Sequence, residues 1–410
     1  MSPTQAAMSK ALVLSAHIGG LDRRIVAEVN TIAASGRQVT FVSLPVEFPA
    51  HTFDPRVRIV MQPIARLNRQ AWLKHLAHQL PFRCRTYAKA IWRLMGPKPI
   101  ATNRHYFSLM TPRDRYDVIH CHDLDTLPIG AEIRAEMCPD AKLIYDSHEL
   151  FPHQFPAGRY QRYWSRVETN YVSKADLVIT VNESIARALT HFYGIDRPHV
   201  IYNSYGTPPR EEPLGEETFL RHFGAPADGF RVMFQGNMVA EKNVETLLRA
   251  FRILPETTQL FLLGGGPMWG QLQMLRDRLG LNNVYFGTWV EQEKLLSYIK
   301  QAHMGIIPYV GDELLNNRYC TPNKLFEFLE AEIPICASDL PELRRIVKGY
   351  RVGGVYAMHD PESIAKAVAE CRDRYAMGEF TRAAQRAARE AFLWQRQEEK
   401  LLALYDRLGV

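Results

Sequence analysis

Ala11-Leu12-Val13-Leu14-Ser15 is a short β-type run that ends in His17-Ile18-Gly19-Gly20. A helical pattern follows through Val26, Val29 and Ile32, Gly36 closes it, and Val39-Thr40-Phe41-Val42-Ser43 is a second run. Strand, helix, strand in this order is a βαβ unit, with parallel strands and a right-handed crossover. The unit recurs. Val118-Ile119-His120-Cys121 precedes a helix around Ile129 to Ala135 and the run Lys142-Leu143-Ile144-Tyr145. Leu177-Val178-Ile179-Thr180-Val181 leads through a helix at Ala186 and Leu189 to His199-Val200-Ile201-Tyr202. Pro208, Pro209 and Pro213 among Arg210, Glu211 and Glu212 then read as a linker. A second series comprises Arg231 to Gly236, Gln259 to Leu263, Val284 to Phe286, Gly305 to Pro308 and Ile335 to Ser338. The fold class is α/β, with two Rossmann-like halves joined near residue 208 and a helical tail from Phe380 to Leu408. Neither half carries the G-x-G-x-x-G of a dinucleotide site, which disfavours NAD.

The chain has 410 residues, 46% of them apolar and 23% charged. That balance excludes a disordered chain, a collagen and a disulfide-stapled mini-scaffold. No apolar run reaches the 18 or so residues of a membrane span, and Met1-Ser2-Pro3-Thr4-Gln5 lacks the charged-then-apolar order of a signal peptide, so a short frayed tail is expected there. The six cysteines (Cys84, Cys121, Cys138, Cys320, Cys336, Cys371) form no C-x-x-C pair, so reduced thiols in a cytoplasmic protein are expected.

Charge is concentrated in one segment. Arg56 to Arg115 holds 13 Lys and Arg against one acid, Asp114, while the remainder holds 37 bases and 43 acids. Trp72, Leu73, Leu76 and Leu80 recur at helical spacing up to Pro81, and Tyr87, Ile91, Trp92, Leu94 and Met95 resume it among cations. Basic amphipathic helices with aromatic residues suit an anionic membrane surface. Trp72, Arg83, Arg85, Lys89, Trp92 and Arg93 are the expected contacts, at the inner face of the cytoplasmic membrane. The other reading packs the apolar stripes on the core and leaves the cations solvated. No nucleic-acid motif accompanies the charge, so no nucleic-acid partner is expected.

In open α/β sheets ligands bind beyond the carboxyl ends of the strands. Those ends in the second series read Gly236-Asn237, Gly264-Gly265-Gly266-Pro267, Gly287-Thr288-Trp289 and Pro308-Tyr309. The stretch Thr321-Pro322-Asn323-Lys324-Leu325-Phe326-Glu327 predicts a helix start, with Thr321 as N-cap and Pro322 in the first position. Its free N–H groups, with Lys324 and with Lys242 after Gly236, suit a diphosphate. Glu327, one turn in, suits sugar hydroxyls. A plain capped surface helix is the alternative.

Together with Tyr116 to Asp123 and Tyr145-Asp146-Ser147-His148-Glu149, and with Asn323 to Asp339, this order resembles the retaining family 4 glycosyltransferases of GT-B fold. Such enzymes serve bacterial polysaccharide and lipid-linked glycan synthesis, and the likeness spans nearly the entire chain. It implies two Rossmann-like domains facing across a cleft: 1–208 for the acceptor, 209–385 for the nucleotide sugar, and a last helix, 386–410, returning to the first domain. It implies that Glu327 contacts the donor ribose, that Lys242 contacts the diphosphate, and that Gly19 and Gly20 form the loop facing it. His122 matches the histidine beside the donor sugar. Two positions depart from the pattern, because the family's first acid falls at Tyr319 and its diphosphate arginine at Asn237; Arg318 or Lys324 can compensate. Donor binding is assigned to Gly19, Gly20, Gly236, Asn237, Lys242, Gly265, Gly266, Thr321, Pro322, Asn323, Lys324 and Glu327, and the nucleobase pocket to Gly287, Thr288 and Trp289.

Asp123-Leu124-Asp125 is formally a D-x-D, but it sits in the acceptor half. Lysines plus a helix N-terminus can neutralise a leaving diphosphate without a metal, so neither cofactor nor metal is expected. His17, His120, His122 and His148 lack zinc-ligand spacing, and His120 reads as a packed strand residue. The expected reaction moves a hexose-type sugar from a nucleoside diphosphate, UDP before GDP, to a glycan or lipid-linked acceptor. His122 and Glu149 are the candidate catalytic groups. A nucleotide-sugar epimerase of the same fold and a non-catalytic GT-B relative remain as alternatives.

Overall fold

The computed structural model describes residues 8–17, 22–46, 48–49, 52–61, 99–204, 213–311 and 314–410. Gly19, Gly20, Trp72, Arg83, Arg85, Lys89, Trp92 and Arg93 lie outside the described residues. The chain divides into one unit of Met1–Tyr202 with Gln397–Val410 and a second of Asn203–Arg396.

The first unit is a seven-stranded parallel sheet. Its strands are β1 (Lys10–Ser15), β2 (Gln38–Ser43), β3 (Arg58–Val60), β4 (Val118–His122), β5 (Lys142–Ser147), β6 (Leu177–Thr180) and β7 (His199–Val200). Their spatial order is β3-β2-β1-β4-β5-β6-β7, so the winding reverses between β1 and β4. Leu14 pairs with Cys121, and Ser15 with His122, at that reversal. Helices on the faces bury the strands from both sides, so β4 is buried at every residue and β5 at every residue after Lys142, polar side chains included. Phe107, Leu127, Ile133 and Trp164 close over Leu12, Leu14, Ile119, Leu143 and Tyr145.

The last helix, Trp394–Leu408, completes this unit. Tyr405 Oη lies 2.8 Å from His120 Nδ1. Arg37 donates to Asp406 Oδ1 at 2.7 Å and to the Val410 carbonyl at 2.6 Å. The backbone N–H of Tyr202 donates to Gln397 Oε1 at 3.1 Å.

The second unit is a six-stranded parallel sheet of β8 (Phe230–Asn237), β9 (Thr258–Gly265), β10 (Val284–Gly287), β11 (Met304–Ile307), β12 (Ile335–Ser338) and β13 (Gly353–Tyr356). The order β10-β9-β8-β11-β12-β13 reverses between β8 and β11. β9 is buried at every residue. Two strands had no counterpart in the sequence reading, β3 and β13. The first has three residues; the second starts Gly353-Gly354, where a Cβ on Gly353 would lie 1.9 Å from the Ile335 carbonyl oxygen. Such close strand approach requires glycine, which removes the β-branched signal of a strand.

The helix predicted at Thr321 runs Asn323–Glu330. Pro322, not Thr321, holds the cap position, extended at φ −66° and ψ 144°, and itself supplies no side-chain cap hydrogen bond. Proline fixes φ without supplying an N–H, so it serves as the last extended residue as readily as the first helical one. Cys121, Cys138, Cys320, Cys336 and Cys371 are free thiols. Among the described residues no helix is long and apolar enough to cross a membrane.

Candidate functional site

In the six-stranded unit, the carboxyl ends of β8 and β9 are knitted by glycine. Gly236, Gly264 and Gly266 have φ of 115°, 135° and 138°, a region L side chains rarely adopt. A Cβ on Gly264 would meet the Gly236 carbonyl oxygen at 2.4 Å, and one on Gly266 would meet Asn237 Oδ1 at 2.3 Å. The Met238 N–H donates to the Gly265 carbonyl at 2.6 Å, joining the two turns. Backbone, not side chain, therefore forms this rim.

Lys324 points into the rim from the first turn of helix Asn323–Glu330. It is 4% exposed, with Nζ 3.4 Å from the Phe234 ring centre and 5.1 Å from that of Tyr309. A Cβ on Gly236 would lie 4.0 Å from Nζ. Nζ has no hydrogen-bond partner among the described residues. Burial, with the charge of Lys242 beside it, holds its ammonium well below the usual lysine range, and Glu327 offsets only part of this. Burial also lowers Lys242. Glu327 is buried and accepts from Gln235 Nε2. Asn323 Oδ1 accepts from Asn203 Nδ2 at 2.9 Å, and Thr321 is buried just before the helix. Arg318 is exposed on the short helix Leu315–Tyr319.

Gly287 is closed in, since a Cβ there would meet Phe223 at 2.5 Å and His222 at 2.7 Å. The Thr288 carbonyl lies 3.1 Å from His222 Nε2 and accepts from it when that nitrogen carries the proton. Trp289 is 61% exposed. Its Nε1 would be 2.7 Å from a Cβ on Gly265, so the indole edge sits against the β9 turn.

In the seven-stranded unit, the carboxyl ends of β1, β4 and β5 carry a buried ionic cluster. Asp22 caps helix Arg23–Ala34, accepting from the Arg24 N–H at 2.8 Å. Arg24 is fully buried: Nη2 donates to both Asp146 oxygens at 2.6 and 2.8 Å, and Nε to Glu28 Oε1 at 2.7 Å. His120 and His122, two apart on β4, lie on one face with rings stacked at 4.6 Å. His122 Nδ1 is 3.0 Å from His148 Nε2. Asp123, the next residue, has φ 64° and accepts the His148 backbone N–H at 3.1 Å. His17 is the accessible histidine, 3.9 Å from Asp123 Oδ2 and 40% exposed. Glu149, next after His148 in the chain, is half-buried, its carbonyl accepting from Ser147 Oγ at 2.8 Å.

Burial and the neighbouring His120 push His122 down to about 3, and burial lowers His120. Burial and Asp146 push Glu28 up to about 8. Burial alone would raise Asp146, but the charges of Arg24 and His148 outweigh it and hold the carboxylate well below its usual range. Glu28, His120, His122 and Asp146 place one ligand atom each within 4.8 Å of one another. Arg24 already lies on both carboxylates, so the positive charge this pair requires comes from the chain itself.

Of the histidines weighed from sequence, His120 is a strand residue inside the cluster and His122 is its buried centre. The sequence reading missed Asp22, Arg24 and Glu28 as members. An Arg-x-x-x-Glu pair on an otherwise apolar helix face was the available signal.

Two parallel sheets, each carrying polar groups at its strand reversal, with the last helix returned to the first sheet, define the GT-B glycosyltransferase architecture. Residues 18–206 match Glycosyltransferase Family 4 and residues 229–373 match Glycosyl transferases group 1, so by family the chain is a glycosyltransferase. It is 28% identical over 270 residues to the uncharacterized glycosyltransferase MJ1607 of Methanocaldococcus jannaschii, a match spanning 62% of this chain and 65% of that protein. Among solved structures it is similar to sucrose-phosphate synthase from Thermosynechococcus elongatus, with a TM-score of 0.72, 19% identity and 98% and 99% of the two chains covered. It is also similar to Anabaena HepE in complex with UDP, with a TM-score of 0.68, 15% identity and 98% and 100% covered.

Proposed function

We propose that this protein moves a hexose-type sugar from a nucleoside diphosphate sugar, UDP before GDP, to a glycan or lipid-linked acceptor. The six-stranded unit holds the nucleotide sugar and the seven-stranded unit the acceptor. The observation that carries the reading is Lys324: a buried ammonium with no hydrogen-bond partner among the described residues, in the first turn of a helix and 4.0 Å from where a Cβ on Gly236 would stand. A buried unpaired cation is costly, and a diphosphate would remove that cost. HepE, whose fold this chain shares, has been seen with UDP and with UDP-glucose.

Bond breaking leaves positive charge on the sugar and negative charge on the departing diphosphate. Lys324, Lys242 and the N–H groups of Asn323 onward would stabilise the latter. No metal enters this scheme. Glu327 would bind ribose hydroxyls, and Trp289, exposed against Gly265, would stack on the base with Gly287 and Thr288 behind it. His122 and Glu149 would face the sugar or the acceptor, with retention of the anomeric configuration. The basic segment, including Arg83, Arg85, Lys89 and Arg93, would hold the protein at the inner face of the cytoplasmic membrane, near a lipid-linked acceptor.

Calorimetric titration with UDP, GDP, ADP and CMP, with and without EDTA, tests this. UDP is expected to bind most tightly, with EDTA making no difference. Absence of binding by all four would overturn the reading.

A further inference from the structure

The His148 imidazole is ringed by carboxylates. Its Nδ1 lies 3.7 Å from Asp22 Oδ2 and its Nε2 3.6 Å from Asp146 Oδ2. Asp123 holds its backbone N–H at 3.1 Å. The other charged or titratable neighbours are His17, with ring centres 6.5 Å apart, His122, and Arg24 and Glu28 behind Asp146. Burial opposes the cationic form, but Asp123, Asp146 and Asp22 outweigh it and hold His148 well above the usual imidazole range. An imidazolium has two N–H donors and no acceptor. The 3.0 Å contact between His148 Nε2 and His122 Nδ1 then has one assignment, in which His148 donates and His122 accepts.

We propose that His148 is a positioning residue that locks His122 as the neutral tautomer protonated on Nε2. In that state His122 can donate one hydrogen bond and cannot take a proton. Burial and the stacked His120 keep His122 neutral, pushed down to about 3. Its Nε2 is buried without a hydrogen-bond partner among the described residues, so no neighbour there opposes the tautomer that His148 selects at Nδ1. Its ring plane is held by the stacked His120, itself anchored to Tyr405 Oη at 2.8 Å.

The consequence for catalysis rests on the function proposed above. If His122 faces the sugar or acceptor, it serves as a hydrogen-bond donor and not as the base. As the new glycosidic C–O bond forms and the bond to the diphosphate breaks, the acceptor proton then passes to a group other than His122, the departing phosphate oxygen or the Glu149 carboxylate.

The test is tautomer assignment by two-bond 1H–15N correlation on the full chain with 15N-labelled histidine, the His122 signal being identified by its loss in His122→Asn. Wild type is expected to show Nδ1 bare and Nε2 protonated. His148→Leu should mix the tautomers, and His148→Gln, whose amide N–H can donate from the same place, should restore the wild-type pattern. Protonation on Nδ1 in the wild type, or an unchanged tautomer in folded His148→Leu, would overturn the proposal. If the Leu variant does not fold, the wild-type and Gln spectra still decide. No nucleotide is needed, so failure of UDP binding would sink the proposed reaction and leave this result standing.

Discussion

Lys324 sets function against stability within one side chain. The Phe234 ring face, 3.4 Å from Nζ, gives the ammonium a partial partner. A buried polar group without a hydrogen bond still costs about 1–3 kcal/mol. Lys324→Met keeps the volume and removes the charge. It is expected to raise the stability of the six-stranded unit by about 1 kcal/mol while abolishing UDP binding, read from thermal melts and calorimetry on the same sample. A loss of stability would mean that the ammonium is already compensated.

At the scale of elements, the turns after β8 and β9 depend on glycine both for conformation and for space. Gly266 combines φ 138° with a would-be Cβ 2.7 Å from the Met238 N and O. Gly280, closing helix Trp269–Leu279, has φ 64° with nothing within 4 Å of a Cβ. Gly280→Ala is expected to cost about 1–2 kcal/mol in urea unfolding. Gly266→Ala should cost at least about 3 kcal/mol, and equal costs would mean the turn relaxes freely.

This difference also explains what could be read beforehand. The periodic strands β1, β2, β4, β5 and β8 to β12 announce themselves, because both faces are buried and β-type residues fill them. The glycine rim and the helix after Pro322 were legible from local spacing. The Arg24–Asp146–His122 cluster was not, because its members come from elements 122 residues apart. Each, taken locally, reads as an ordinary helix pair or strand residue. Their meeting is a product of sheet order, which brings β1, β4 and β5 together only after folding.

For the molecule as a whole, these buried histidines make acid the weak side. His122 is held near 3, whereas an unfolded imidazole titrates near 6.5. Between those values the unfolded chain binds a proton that the folded one refuses, so stability falls as pH drops through that window. Asp146 is depressed, so its contribution, present above about pH 4, is lost at lower pH still. His148 is raised, so its contribution is whole below about pH 6.5 and is lost only as pH climbs through its folded value. Urea midpoints followed by fluorescence from pH 7 to about pH 4 should fall steeply in wild type and less steeply in His122→Asn. Parallel slopes would show that His122 is protonated in the native state.

The route of the chain has its own meaning. Tyr202 and Gln397, where the chain leaves and re-enters the seven-stranded unit, are joined by a 3.1 Å hydrogen bond. The six-stranded unit is in this sense a guest inserted at a single point of its host. Excising residues 203–396 and bridging the gap with a few glycines would ask no strand of the host to move. Conversely, a protease nick within 205–212 would leave two fragments, neither of which owns a complete host, because the closing helix would travel with the guest.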